Sequence, residues 1–172
     1  PNGSFCDVTK SAQILRLLLE SELGLTSFPM LTGSSGIHLV VPLDRSDNFD
    51  SVRAFAKNIA HYTAKVYPEK FTAEIRKEKR KGRLFVDYLR NSYAQTAICP
   101  FSARAFENAP VAVPIGWDEL QNGIKSAQAF TIDTISNRLK YKSNPWEDLF
   151  RNPYSLDGVI SKLENLSEKK LV

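Results

Sequence analysis

The sequence predicts an α+β fold in which helices flank a small, mostly antiparallel sheet. Three observations support this prediction. Two long segments have apolar residues at helical spacing, and a β-branched strand follows a glycine-rich turn. In the middle of the chain, an apolar run at 83–89 is followed by an extended segment at 109–114. The chain has 172 residues, of which 42% are hydrophobic, enough for one buried core. We therefore expect a single domain over residues 1–172.

Two amphipathic helices are predicted in the first half of the chain. The first starts at a cap on Asp7 or Thr9 and ends at Gly24. The second is capped by Asp50 and ends before Pro68, with apolar positions spaced by 3, 4, 3 and 4 residues along one face. Shorter helical segments are expected at 72–81, 117–120, 130–139 and 155–166.

The strands are predicted from β-branched and apolar runs bounded by glycine or proline. A turn at 33–36 leads into a strand at 37–41, which Pro42 ends. The run 83–89 is interpreted as a buried strand with a hairpin partner at 95–99. Residues 109–114 contain two prolines and are predicted to be extended, so antiparallel pairing is expected in the middle of the chain.

Composition narrows the class of protein. The net charge of +4 permits nucleic-acid binding without requiring it. Cys6 and Cys99 lack metal-ligand spacing, and no apolar run is long enough to span a bilayer. The sequence contains no P-loop, dinucleotide-binding fingerprint, zinc pattern or nucleophile elbow. We expect a soluble, cytoplasmic protein with no membrane partner.

The glycine-rich turn at 32–38 is the first candidate site. Backbone amides freed by glycines, with hydroxyls such as that of Ser34 beside them, can cradle a phosphate group. His38, on the strand that follows, could donate to a phosphate oxygen. The alternative is a simple Gly/Ser turn with a core histidine, which is the commoner use of such a sequence.

Asp87 is the second candidate, because it interrupts an otherwise apolar run. A buried carboxylate needs a cation or hydrogen bonds to hold it, so Asp87 is a candidate ligand for Mg²⁺ or Mn²⁺. The alternative is an exposed aspartate on the solvent face of a half-buried strand.

A basic run lies directly before the Asp87 segment. Six of the eight residues at 76–83 are Arg or Lys, a density that can neutralise phosphates of DNA or of a nucleotide. The candidate DNA-binding residues are Arg76, Lys77, Lys79 and Lys81. The alternative is a solvated charged face. Arg104 alone is a weaker candidate. Phe71, Trp117, Phe130 and Trp146 could stack on bases, but most of them are better explained as core residues, and none is assigned a function.

The order of these elements resembles archaeo-eukaryotic primase-like proteins, which have a glycine-rich turn with a histidine followed by a strand with one aspartate. Longer segments are similar to the polymerase domain of bacterial ligase D. They are LGLTSFP (23–29), GIHLVVPL (36–43), GRLFVDYLRN (82–91), AICPFSAR (97–104) and APVAVP (109–114).

The resemblance implies a primase-like core with a small RRM-like sheet, a metal-dependent nucleotidyltransferase that adds nucleotides, often ribonucleotides, to DNA ends in non-homologous end joining. Its implied partners are DNA ends, nucleoside triphosphates, Ku and a DNA ligase module, and its implied cofactor is Mn²⁺ or Mg²⁺. His38 and Thr32 match the family's phosphate-binding histidine and hydroxyl. Asp87 matches a catalytic metal carboxylate, and Arg80 and Arg104 match residues that contact the nucleotide or its phosphates.

Two departures from the family pattern limit the expected activity. The family's paired Asp-x-Asp would lie just before Pro1, so we expect an amino-terminally truncated domain with weak or absent metal binding, inactive alone. Met30, Leu31 and Thr32 also replace the opening of the family's Lys-Thr-Ser-Gly-x-Lys-Gly-x-His motif, and Ser35 replaces its inner lysine. Whether this chain is an enzyme stays open. The alternatives are a degenerate module that binds DNA ends or nucleotide, or a scaffold in an end-joining complex.

Overall fold

The computed structural model of the chain describes residues 4–169. The helices in this part are α1 (Phe5–Leu17), α2 (Phe49–Val66), α3 (Trp117–Asn122), α4 (Ile132–Tyr141) and α5 (Val159–Lys169). The strands are β1 (Phe28–Leu31), β2 (Ile37–Val40), β3 (Phe71–Thr72), β4 (Leu84–Phe85) and β5 (Val113–Pro114). A π-turn, Leu18–Glu22, continues α1, and 3₁₀ turns lie at Lys77–Lys79 and Leu89–Asn91.

The main sheet is antiparallel and has the strand order β2-β1-β5. Met30 of β1 faces His38 of β2 on one side and Pro114 of β5 on the other. This sheet, with helices beside it, confirms the predicted α+β class. The glycine-rich turn joins β1 to β2, so it lies at the end of two paired strands of the sheet.

Two hydrophobic clusters form the core. The first packs the π-turn that follows α1, together with α2, against α5, through residues that include Leu19, Phe55 and Leu163. The second packs α1 and α3 on the sheet, through Leu31 and Val113 among others. Phe71 is fully buried, in agreement with the assignment of aromatics to the core. None of the helices between residues 4 and 169 combines the length and apolar character that a membrane span requires.

The helix expected at 72–81 is wrong. Thr72 instead pairs with Phe85, so that β3 and β4 form a small parallel sheet, and only Lys77–Lys79 makes a 3₁₀ turn. The basic run has like charges at helical spacing and no apolar stripe to bury, and both properties disfavour a helix.

The strand predicted at 83–89 is shorter than expected, and its hairpin partner at 95–99 is wrong. Only Leu84–Phe85 is a strand, and its partner is β3. Residues 95–99 form no strand, because Ala94 has a left-handed backbone (φ 58°) and the carbonyl of Thr96 accepts a hydrogen bond from Arg90 Nη1 (3.1 Å).

The two long helices are confirmed, but their caps differ from the prediction. α1 begins after Ser4, whose backbone N donates to Asp7 Oδ2 (2.9 Å). α2 begins after Asn48, whose side chain accepts from Ser51 N (2.9 Å). The predicted caps Asp7 and Asp50 therefore lie inside the first turn, where a carboxylate still favours the helix, and Thr9, the alternative for α1, lies beyond it.

Candidate phosphate-binding site

The glycine-rich turn is closed by the hydroxyl of Thr32. Thr32 Oγ1 donates to the carbonyl of Gly36 (2.9 Å) and accepts from the backbone N of Ser34 and of Gly36 (both 3.3 Å). Thr32 is only 8% exposed. Its hydroxyl shapes the turn from inside, and its assignment to phosphate binding stays a prediction. Ser34 lies at the partly exposed tip of the same turn.

Gly33 brings the turn against the segment that carries Arg104. Gly33 has a left-handed backbone (φ 65°), and its N donates to the carbonyl of Ala127 (3.1 Å). A Cβ at this position would lie 2.9 Å from Arg104 Cγ and 3.0 Å from the carbonyl carbon of Val111. Only glycine fits at such short distances, so Gly33 allows the Arg104 side chain to pack against the turn.

The Arg104 segment is held in a strained loop. The backbone N of Arg104 donates to the carbonyl of Pro110 (2.7 Å), and its guanidinium lies 5.7 Å from the centre of the Phe106 ring. Phe101 and Asn108, on either side of it, have left-handed backbones (φ 63° and 61°). Such conformations are costly for residues other than glycine, and they cluster where a side chain must be presented to a ligand.

His38 is half-buried on β2, and it lies close enough to Arg104 and Asp87 to interact electrostatically with them. Burial lowers the pKa of His38 below its ordinary value of 6.5, the carboxylate of Asp87 opposes this, and Arg90 and Arg104 add to the lowering. His38 is therefore neutral at pH 7, with one nitrogen that can donate and one that can accept.

Asp87 follows β4 and is exposed, which is the alternative that the sequence left open. Its Oδ1 accepts from the backbone N of Leu89 (2.9 Å), and its Oδ2 lies 3.7 Å from Arg90 Nε. It lies two residues before the 3₁₀ turn that carries Arg90 and accepts the hydrogen bond of the first backbone N of that turn. Its side chain is 41% exposed, so a ligand can still reach the carboxylate.

Arg90 is a site residue that the sequence reasoning missed. It lies three residues after Asp87 and shares the ion pair with it, and its charge acts on His38. The signal was present, because a basic residue three positions after a capping aspartate returns to the same side of a helical turn. The structure thus places Arg104 against the glycine-rich turn, pairs Asp87 with Arg90, and puts all three charges within electrostatic range of His38.

The basic run separates into structural and exposed residues. Arg80 donates to the carbonyls of Glu74 (2.9 Å) and Ile75 (2.7 Å) and stacks 4.1 Å from the centre of the Phe85 ring. Arg83 donates to the carbonyl of Arg80 (3.0 Å). The assignment of Arg80 to the nucleotide stays a prediction, and its contacts fix the loop. The exposed members are Arg76, Lys77, Lys79 and Lys81.

The described residues do not by themselves fit a divalent metal ion. Asp87 supplies one carboxylate to the site, and in the part of the chain from 4 to 169 no three His, Cys, Asp or Glu side chains lie together as metal ligands. Mg²⁺ and Mn²⁺ bind through several oxygen ligands, so one exposed carboxylate is a weak site.

Comparison with known proteins identifies the family. The family model for the LigD primase-polymerase domain matches residues 1–146. The chain belongs to the LigD primase-polymerase family. The "Bifunctional non-homologous end joining protein LigD" of Bacillus subtilis is 37% identical over 166 residues, which are 95% of this chain and 27% of that protein. The Pseudomonas aeruginosa "Multifunctional non-homologous end joining protein LigD" is 38% identical over 78% of this chain and 16% of its own length.

A solved structure agrees with the LigD assignment. The "Polymerase Domain from Mycobacterium tuberculosis Ligase D in complex with DNA" superposes with a TM-score of 0.79 at 28% identity, over 89% of this chain and 52% of that one. The primase-like fold expected from the resemblance is therefore confirmed. The chain spans about half of that polymerase domain and about a quarter of the Bacillus protein.

Proposed function

We propose that this chain is the phosphate-binding part of a DNA end-joining polymerase, which holds DNA ends and nucleotide for nucleotide addition in double-strand-break repair. The observation that carries the proposal is the meeting of His38, Arg90 and Arg104 beside the Gly33 turn. The family membership and the DNA in the related M. tuberculosis structure support DNA as the ligand.

The chemistry of the cluster suits phosphate oxygens. Two guanidiniums provide charged donors in a fork geometry, and a neutral imidazole provides one more donor. Asp87 orients Arg90 through their ion pair, and Gly33 sets the position of Arg104. The exposed basic residues at 76–81 would add less directional contacts to a DNA backbone.

The test measures binding of a fluorescein-labelled linear duplex, and competition by ATP, with Arg104→Ala and Arg90→Ala variants. A lost charge-assisted hydrogen bond costs about 1.5–3 kcal/mol, so we expect binding to weaken by about tenfold or more. Arg151→Ala is the matched control, because Arg151 is 73% exposed and, among the described residues, its ion pair is with nearby Asp148. Equal affinity of all three variants would contradict the proposal.

A second candidate is a module that binds DNA ends or nucleotide without catalysis. It is favoured by the hydrogen bond that engages Asp87 in capping Leu89 and by the single carboxylate at the site. Primer extension with Mn²⁺ and ribonucleotides separates the two. The polymerase proposal expects activity from a polypeptide extended upstream in the parent gene and its loss in Asp87→Ala. A longer polypeptide that binds DNA without extending primers would favour the binding module.

Ku and a DNA ligase module stay predicted partners of the complete protein, as do Mn²⁺ or Mg²⁺ as its cofactor. The names of the relatives describe end-joining proteins, and the family resemblance alone suggests these partners and this cofactor.

A further inference from the structure

Two aromatic side chains from different elements form an exposed pair. Phe49 begins α2 and is 58% exposed, and Tyr93, in the loop after β4, is 76% exposed. Their ring centres lie 5.7 Å apart at an interplanar angle of 70°, an edge-to-face contact. Two large rings held together at the surface leave apolar area in water that a ligand could cover.

Both rings belong to segments whose backbone is fixed by hydrogen bonds. Phe49 is anchored by an 18-residue helix with a side-chain cap at Asn48. The loop of Tyr93 is fixed by the hydrogen bond of Arg90 Nη1 to the carbonyl of Thr96 (3.1 Å) and by that of Gln95 N to the carbonyl of Ser92 (3.2 Å). A fixed platform loses little conformational entropy when a ligand stacks on it.

Residues of opposite charge lie near the two rings in the sequence. Arg90 lies three residues before Tyr93, so their Cα atoms are at most about 11 Å apart. It is half-exposed, at 52%, and belongs to the phosphate-binding cluster. Asp50, next to Phe49 in the sequence, is exposed and disfavours an anion close to it. A ligand that suits this surface has an anionic group towards Arg90 and a neutral ring over the aromatic pair.

We propose that Phe49 and Tyr93 stack a base from the single-stranded part of a DNA end, while Arg90 contacts an adjoining phosphate. The proposal rests on the proposed function for its ligand and adds the single-strand specificity. Base stacking on aromatic side chains is tolerant of sequence, as a DNA-end protein requires. The exposed Tyr141 and Phe150 form no ring pair with any described residue, so they do not make a comparable platform.

The experiment compares two fluorescein-labelled duplexes, one blunt and one with a 3′ single-stranded overhang, for Tyr93→Ser, Phe49→Ser and Tyr93→Trp. We expect both Ser variants to weaken overhang binding by about tenfold and to leave blunt-end binding unchanged. Tyr93→Trp should retain the affinity, and its fluorescence should be quenched by the overhang. Tyr141→Ser is the matched control for removal of an exposed tyrosine, and thermal melts check that each variant folds.

The outcomes separate the two proposals. If Arg104→Ala weakens binding of both duplexes while the Ser variants behave like Tyr141→Ser, the stacking proposal is wrong and the phosphate-binding proposal stands. Weakened binding of both duplexes by the Ser variants would also contradict single-strand stacking. If the unmodified chain binds neither duplex, both proposals fail.

Discussion

Gly33→Ala tests the geometry that places Arg104 on the glycine-rich turn. The new Cβ would lie 2.9 Å from Arg104 Cγ, 3.0 Å from Val111 C and 3.1 Å from Ala112 N, in a backbone with φ 65°. Two of these three neighbours are backbone atoms, which cannot rotate away. A left-handed backbone costs an L-residue about 1–2 kcal/mol, and overpacking adds about 1–3 kcal/mol. We therefore expect a loss of about 2–5 kcal/mol in the free energy of unfolding.

Gly36→Ala provides the matched control within the same turn. A Cβ on Gly36 meets no atom within 4 Å, and its φ lies outside the left-handed region. We expect its free energy of unfolding to change by less than about 1 kcal/mol. Urea denaturation followed by circular dichroism measures both variants. Equal stability of the two variants would refute the reasoning, because the close approach of Arg104 to Gly33 would then have no effect on the free energy of unfolding.

Three further predictions concern buried polar groups. Glu119→Gln should cost about 3–5 kcal/mol and should reduce the loss of stability below pH 4.5, because Arg138 holds the pKa of Glu119 below its ordinary value; acid titration of the unfolding free energy tests this. His38→Gln should flatten the fall in stability as pH drops below 6.5, since the unfolded chain binds a proton that burial disfavours in the folded chain; urea midpoints across this range measure it. Thr32→Val should cost about 1–3 kcal/mol in thermal melts, whereas Ser34→Ala should have little effect.

The fold could be predicted where a pattern was local. α2 was identified from its apolar stripe, and only its first residue was misplaced, because Asn48 and Asp50 are both good caps and sequence does not rank them. The region 72–99 could not be predicted in this way. Its conformation depends on β3 pairing with β4 and on Arg80 and Arg90 binding backbone carbonyls, and these contacts leave no periodic signal.

The candidate site was predictable only in part. His38, Asp87 and Arg104 lie far apart in the sequence, and resemblance to the ligase D polymerase domain, rather than spacing, joined them. Arg90 was missed because it directly follows the run 83–89 that the sequence assigned to a strand, and its turn, Leu89–Asn91, was not predicted. The internal role of the Thr32 hydroxyl was also invisible, since a turn hydroxyl can face a ligand or its own backbone with the same sequence.

The C-terminal part of the chain affects the order in which the protein folds. Tyr154 exchanges backbone hydrogen bonds with Pro42 (2.9 Å) and Asp44 (3.0 Å), and Leu156 and Leu163 fill the cluster formed by the π-turn after α1 and by α2. Contacts that join segments so distant in sequence form slowly. During synthesis, the apolar residues of the π-turn and of α2 emerge from the ribosome before the segment that covers them. Those residues therefore stay exposed to aggregation until the C-terminal segment has been made.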